Sequence, residues 1–152
     1  MIHGVRVRDL KKNVDDRGYL MELLRADWSD IFQKFGQAYV SMNHPGVIRA
    51  WHFHKRQHDI FICLAGTIKV PLYDGREGSA TKGQIDEFVM GDDRQIALLI
   101  PPGVYHGYLT LGVRPSLLVN FPTELYDPAS PDEQRLPYDS PEIPYSWAVR
   151  PR

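Results

Sequence analysis

The sequence predicts an all-β protein, a sandwich or barrel built from short strands joined by turns. Eight segments of strand length alternate between apolar and polar residues or are apolar throughout: residues 36–42, 47–53, 59–64, 67–73, 84–90, 95–100, 107–111 and 116–121. Turn-forming groups such as His44-Pro45-Gly46 and Pro101-Pro102-Gly103 separate them. Short strands at this regular spacing are typical of all-β sandwiches and barrels. The one helix candidate runs from Ser29 to Phe35, where Ser29 is a suitable cap.

The length and composition are those of a single globular domain. The chain has 152 residues, of which 43% are hydrophobic and 24% are charged, and domains usually contain about 100–200 residues. We therefore expect one domain over residues 1–152, with the proline-rich segment 127–152 wrapped over the barrel. The net charge of -1 argues against nucleic acid as a partner. A single cysteine and the lack of a long apolar run predict a cytoplasmic protein without membrane contact.

A cluster of histidines carries the densest chemistry in the sequence. In the strand predicted at 47–53, side chains two residues apart share a face. His52, His54 and Ala50 are therefore expected on one face, and Arg49 on the other unless a bulge intervenes. Two histidines on one face of a strand can reach the same ligand or substrate.

The histidines also match the two sequence motifs of the cupin fold. The spacing of Gly46, His52, His54, Asp59 and Gly66 fits the first motif, with aspartate in place of the usual glutamate. The segment from Pro101 to His106 fits the second motif. The two motifs predict a cupin jelly-roll β-barrel with His52, His54 and His106 pointing into its mouth, although this fold supports many chemistries.

Further segments along nearly the whole chain keep the order and spacing of one enzyme family. They are Asp16-Arg17-Gly18 with Glu22, Gln37 with Ser41, Gly46 to His52, Leu72-Tyr73-Asp74, Ser79 to Gly83, Ile100 to Gly107, and Asp139 followed by Trp147. Together they resemble the dTDP-4-dehydrorhamnose 3,5-epimerase family. The resemblance implies a homodimer that needs no metal or other cofactor. It also implies epimerisation of a nucleotide-linked 4-keto sugar at C3, C5 or both, in deoxysugar or surface-polysaccharide biosynthesis, including lipopolysaccharide.

The resemblance also implies a role for individual residues. His52 would be the catalytic base, and Asp139 the carboxylate that pairs with it. An imidazole can remove a proton next to a ketone because the resulting charge spreads onto the carbonyl oxygen, and a carboxylate orients the ring. The residues implied to bind substrate are Arg17 and Arg49 at the diphosphate, Glu22 and Gln37 at the nucleotide, and His106 and His54 in the sugar pocket.

Two positions depart from the pattern of that family. A lysine expected near the sugar carbonyl falls at Asp59, and the tyrosine expected as the opposing acid falls at Val119 or Asn120. A single epimerisation, an unusual nucleotide or sugar, and a keto-isomerase reaction therefore stay open. The candidates for a replacement acid are Tyr39, Tyr105, Tyr108 and Tyr126.

Two rival hypotheses come from other functional classes. One is a metal-dependent cupin enzyme, a dioxygenase or isomerase, in which His52, His54, Asp59 and His106 bind Fe(II), Mn(II), Ni(II) or Zn(II). In that case His52 could not also be a free base. The other rival is a sugar-binding cupin without catalytic activity.

Overall fold

The protein, described over residues 1–149 by a computed structural model, consists of twelve β-strands, and this part of the chain contains no helix. Residues 150–152 of the predicted domain lie outside the described residues. The strands are β1 (Arg6–Asp9), β2 (Asn13–Asp15), β3 (Gly18–Leu20), β4 (Tyr39–Asn43), β5 (Ile48–His54), β6 (Asp59–Ala65), β7 (Thr67–Asp74), β8 (Ile85–Gly91), β9 (Ile96–Ile100), β10 (Val104–Leu111), β11 (Ser116–Asn120) and β12 (Glu133–Arg135). No helix among the described residues is long and apolar enough to cross a membrane.

Ten of the strands form two antiparallel five-stranded sheets. The first has the order β1-β9-β6-β11-β4 and the second has the order β12-β5-β10-β7-β8, while β2 and β3 form a separate hairpin. Apolar side chains from both sheets, including Phe61 of β6 and Ile68 of β7, share one buried core. This arrangement confirms the predicted all-β jelly roll.

All eight predicted strands are present, with ends that differ by at most three residues. The predicted helix is wrong. The N–H groups of Ile31 and Phe32 both donate to the carbonyl of Trp28, which makes one turn that does not continue. A seven-residue segment gains little from helix propagation, and complete burial of Ile31 holds it against the first sheet instead.

The proline-rich tail covers the outer face of the second sheet, as the sequence predicts. Trp51 of β5 packs there against Ile143 and Trp147. The indole N–H groups of Trp51 and Trp147 both donate to the carbonyl of Tyr138. The tail therefore buries the side of β5 that faces away from the histidines.

A β-bulge in β5 changes which of its side chains share a face. His106 pairs with His52, but Tyr108 pairs with Arg49, so that between these pairs two residues of β5 oppose one of β10. The extra residue breaks the alternation. Arg49 consequently lies on the same side as His52, and Ala50 lies in the apolar cluster on the other side. The bulge is the exception that the prediction allowed for Arg49, whereas the predicted placement of Ala50 on the face of His52 is wrong for this reason.

Candidate active site

A cavity of about 470 Å³ opens between the two sheets, and polar side chains from both line it. The strands β4, β6 and β11 form one wall, and β5, β10 and β12 form the other. The lining residues are Gln37, Ala38, Tyr39, Ser41, Arg49, His52, His54, Gln57, Asp59, Phe61, His106, Tyr108, Leu118, Asn120, Leu125, Tyr126, Asp127, Asp132, Glu133 and Arg135.

The structure brings together five of the eight residues to which the sequence gives a role. Gln37, Arg49, His52, His54 and His106 all line the cavity. The remaining three, Arg17, Glu22 and Asp139, are not among its lining residues.

His52 stands on β5 with its side chain only 24% exposed. Its Nε2 atom lies 3.7 Å from Oε1 of Glu133. Burial and, to a smaller extent, the neighbouring His106 ring lower the pKa of His52 to about 4, against the opposing effect of Glu133. The ring is therefore neutral near pH 7, which is the protonation state that a proton acceptor needs.

The carboxylate beside His52 is Glu133, where the sequence predicts Asp139. Asp139 is exposed in the turn after β12, whereas β12 pairs with β5 and places Glu133 opposite His54. Glu133 also receives a hydrogen bond from Arg135, with a distance of 2.8 Å between Nη2 and Oε2. Glu133 could not be predicted from the sequence, because a three-residue polar strand shows no alternation that would set it apart.

The other two histidines converge on a buried aspartate. Oδ2 of Asp59 lies 3.2 Å from Nε2 of His54 and 3.4 Å from Nε2 of His106. Oδ1 of Asp59 accepts hydrogen bonds from the side-chain amides of Gln57 and Asn120, at 2.9 and 2.7 Å. Asp59 is thus fixed by one oxygen and presents the other to two imidazole nitrogens.

The charges in this cluster follow from burial and from its mutual contacts. Burial raises the pKa of Asp59, but the hydrogen bond from His54 and the nearby rings outweigh it and hold that pKa below its usual value. Burial likewise lowers the pKa of His54, and Asp59 reverses this to give a net increase. Complete burial dominates for His106 and lowers its pKa despite Asp59.

The structure distinguishes the four candidate tyrosines. Tyr105 packs with Phe53 and Tyr73 on the outer face, away from the cavity. The hydroxyl of Tyr108 donates to Ser41, so its proton is already used. Tyr126 lines the cavity but is largely exposed.

Tyr39 is the remaining candidate. Its hydroxyl oxygen accepts a hydrogen bond of 3.0 Å from Asn120, the residue with which it pairs across β4 and β11. Because the oxygen is an acceptor there, the hydroxyl proton is available to the cavity. Burial raises the pKa of Tyr39, which keeps the hydroxyl protonated.

The predicted diphosphate and nucleotide contacts separate into two groups. Arg49 lines the cavity, where its Nε donates to Oδ1 of Asn43. Arg17 lies in the β2–β3 hairpin and pairs with Asp15 at 2.6 Å. Glu22 pairs with Arg25 at 2.7 Å on the surface. Within one chain, therefore, Arg17 and Glu22 do not share a site with His52.

The sequence as a whole decides which family this fold and site represent. Residues 1–152 match the profile of the family described as dTDP-4-dehydrorhamnose 3,5-epimerase. The chain belongs to the dTDP-4-dehydrorhamnose 3,5-epimerase family. Its members are epimerases of sugar nucleotides, so membership favours an epimerase over a metal-dependent dioxygenase or a binding protein without activity.

Similar proteins in this epimerase family span nearly the same length. A probable low-salt glycan biosynthesis epimerase, Agl13 of Haloferax volcanii, is 49% identical over 96% of this chain and 94% of its own. The spore coat polysaccharide biosynthesis protein SpsL of Bacillus subtilis is 46% identical over 97% of both chains. A dTDP sugar isomerase from Desulfovibrio desulfuricans superposes with a TM-score of 0.91 at 32% identity, over 99% of this chain and 94% of that one.

Proposed function

We propose that this protein epimerises a nucleotide-linked 4-keto sugar by removing a proton from the carbon beside the ketone and returning a proton to the opposite face. The observation that carries the proposal is the placement of His52, neutral and partly buried, in the shared cavity of a member of an epimerase family. The net change is inversion at C3, C5 or both, and no electrons are transferred.

His52 acts as the base in this proposal. When the ring takes up a proton it becomes positively charged, and the carboxylate of Glu133 at 3.7 Å favours that form. Glu133 is therefore a positioning residue for His52 and takes the place that the sequence predicts for Asp139. The contact is longer than a hydrogen bond, as is common before substrate binds.

Tyr39 supplies the opposing proton. Its hydroxyl belongs to the first sheet and His52 to the second, so the two groups approach a bound sugar from opposite walls. That placement suits removal of a proton on one face and addition on the other. Asn120 is one of the two positions, with Val119, at which the family resemblance expects a tyrosine, and its hydrogen bond to Tyr39 places a phenol beside it.

The nucleotide and its diphosphate lie toward Gln37 and Arg49. A guanidinium makes paired, charge-assisted hydrogen bonds with phosphate oxygens, and Arg49 is the cavity arginine held in place by Asn43. His54 and His106 line the sugar end of the same cavity.

The protein acts as a homodimer in this proposal. Exposed apolar side chains follow the unpaired edge strand β4 and the β2–β3 hairpin, and such surfaces mark interaction sites. They are Val40 and Met42 on β4, and Val14, Tyr19 and Leu20 on the hairpin. In such a dimer we expect Arg17 and Glu22, on and next to the hairpin, to reach the cavity of the partner chain.

The cellular setting remains a set of predictions. The match of the family profile over residues 1–152 supports one domain. The single buried cysteine, Cys63, fits the cytoplasm. The two relatives described above are named for glycan and spore coat polysaccharide biosynthesis, which supports a role in surface-polysaccharide biosynthesis; a role in lipopolysaccharide stays a prediction.

The reaction class is tested by NMR in deuterated water with a 4-keto-6-deoxyhexose linked to dTDP, and with its UDP counterpart. Deuterium that appears at C3, C5 or both identifies an epimerase and counts the inverted carbons. The proposal would be contradicted if no carbon-bound hydrogen of either substrate exchanged with the solvent.

A further inference from the structure

We propose that His54, Asp59 and His106 bind one divalent transition-metal cation beside the base His52. Each of the three residues offers a ligand atom, and these atoms all lie within 4.8 Å of one another. The cluster is nearly closed to solvent, with side-chain exposures of 13% for His54, 2% for Asp59 and 4% for His106.

The spacing of the donor atoms fits a cation. Bonds of roughly 2.1 Å to zinc or a similar ion place neighbouring ligands about 3.0 to 3.4 Å apart in octahedral or tetrahedral geometry. The two nitrogen-to-Oδ2 distances of 3.2 and 3.4 Å fall in that interval. Two imidazoles and one carboxylate suit Fe(II), Mn(II), Ni(II), Co(II) or Zn(II), and they leave coordination positions open toward the cavity.

The hydrogen bonding of His106 independently calls for a positive species at this point. Nδ1 of His106 lies 3.1 Å from the carbonyl oxygen of Val104. A carbonyl oxygen only accepts, so Nδ1 carries the proton and Nε2 of the neutral ring presents a lone pair. That lone pair points toward a carboxylate oxygen in a fully buried setting. A cation between the two atoms converts this repulsion into two bonds.

The surroundings of Asp59 also have the form of a metal site. Residues around a metal usually orient its ligands through hydrogen bonds. Gln57 and Asn120 occupy Oδ1 of Asp59, and Val104 fixes the tautomer of His106. Oδ2 of Asp59 and the two Nε2 atoms face the same space, and Nε2 of His54 also lies 3.3 Å from the side-chain amide nitrogen of Gln57, a contact that a bound cation would replace.

The histidine that acts as base is separate from this site. Nε2 of His52 faces Glu133 on β12, and His52 is not part of the three-residue cluster. The competition that the sequence suggests, in which His52 is either a ligand or a base, therefore does not arise. If the proposed function holds, a cation here polarises the ketone while His52 removes the adjacent proton. It also brings positive charge to the position where the family resemblance expects a lysine and the chain has Asp59.

Metal binding is tested directly on the purified full chain. The protein is stripped with a chelator, titrated with Co²⁺ as a spectroscopic probe, and in parallel reloaded with Mn²⁺, Fe²⁺, Ni²⁺ or Zn²⁺ for elemental analysis. We expect one cation per chain and visible Co²⁺ bands of a nitrogen- and oxygen-ligated site.

Variants locate the site. We expect His54→Ala, His106→Ala and Asp59→Asn each to weaken Co²⁺ binding at least about tenfold, with folding checked by circular dichroism. His52→Ala should retain the cation, and so should His44→Ala, a matched control that removes an exposed histidine outside the cavity. Sub-stoichiometric binding of every ion tested, or equal binding by the wild type and the three ligand variants, would overturn the site.

The experiment separates failure of this inference from failure of the proposed function. If the protein binds the cation but exchanges no hydrogen of any 4-keto substrate for deuterium, the metal site is supported and the epimerase function is refuted. If the metal-free protein exchanges hydrogen for deuterium at the full wild-type rate, the epimerase function is supported and the role of the cation in it is refuted.

Discussion

At the scale of single residues, each cavity histidine is defined by the carboxylate that it faces. His52 faces Glu133, while His54 and His106 face Asp59. Glu133 is partly exposed and Asp59 is buried. The His52–Glu133 pair can therefore gain or lose a proton, whereas Asp59 and its two histidines are held rigidly. Three histidines that look alike in the sequence thus have different chemistry.

Replacement of Glu133 tests the partner of His52. We expect Glu133→Gln to lower the rate of deuterium exchange at least about tenfold, because the charged ring loses its stabilising carboxylate. Nucleotide affinity should change little, so the loss appears in kcat. Asp139→Asn is the matched control and should keep nearly the wild-type rate, since Asp139 is exposed and does not line the cavity. The reverse order of the two rates would restore Asp139 as the partner.

Removal of one hydroxyl tests the opposing acid. Tyr39→Phe should retain the fold and slow product formation about 10²–10⁴-fold, the usual range for loss of a general acid. Exchange of the abstracted hydrogen with solvent should persist, because His52 still works without Tyr39. Tyr126→Phe, a second tyrosine of the cavity wall, serves as control. Equal product formation by Tyr39→Phe and the wild type would exclude Tyr39.

At the scale of elements, the bulge in β5 determines which side chains of this strand face the cavity. It turns Arg49 toward the cavity next to His52 and leaves Trp51 on the outer face. Gly107 on β10 makes the bulge possible, because a Cβ atom there would lie 2.3 Å from the Cβ of Ala50 and 2.8 Å from the Arg49 carbonyl oxygen. The backbone of β5 and β10 can approach this closely only without that side chain.

Gly107→Ala tests the role of the bulge. We expect unfolding to require about 1–3 kcal/mol less free energy, as is typical of overpacking, together with weaker binding of dTDP as Arg49 shifts. Gly83→Ala is the control for loss of stability alone: its φ of +84° strains any side chain, but its added Cβ meets nothing within 4 Å, so it should lower stability without changing dTDP affinity. Chemical denaturation and titration with dTDP measure the two effects. Unchanged dTDP affinity in a folded Gly107→Ala protein would separate the bulge from substrate binding.

The strands that the sequence predicts are those with strong alternation or burial, such as β6 and β7. The elements it misses are short and polar: β2, β3 and β12 have three residues each, too few for a periodic pattern. The residues of the active site also divide into those that the sequence predicts and those that it misses. His52, His54 and His106 could be found because motif spacing places them, whereas Glu133 and the bulge at Arg49 depend on pairing between distant strands.

At the scale of the whole molecule, two sheets enclose a polar cavity, and one of their edge strands, β4, carries exposed apolar side chains. The second sheet is covered by the tail through Trp51 and Trp147. The first sheet ends at β4, where Val40 is 62% and Met42 is 51% exposed. An apolar edge strand without a partner favours association with a second copy.

A charge on that edge tests the dimer. The wild type should sediment as a dimer at micromolar concentration, and Val40→Asp should shift it to a monomer because the aspartate is desolvated in the interface. Val89→Asp is a matched control on β8, the edge of the other sheet, where Val89 is 42% exposed. A monomeric wild-type protein, or a dimer that survives Val40→Asp, would contradict this assembly.

The most direct test of the central claim is solvent exchange by His52→Ala and His44→Ala in deuterated water with the dTDP-linked 4-keto-6-deoxyhexose. We expect His44→Ala to incorporate deuterium beside the ketone at the wild-type rate. We expect His52→Ala to be slower by about 10²–10⁴-fold, the usual cost of losing a general base. Affinity for dTDP should be similar in both proteins, since Arg49 and Gln37 remain. Wild-type exchange by folded His52→Ala protein would contradict the assignment of His52 as the base.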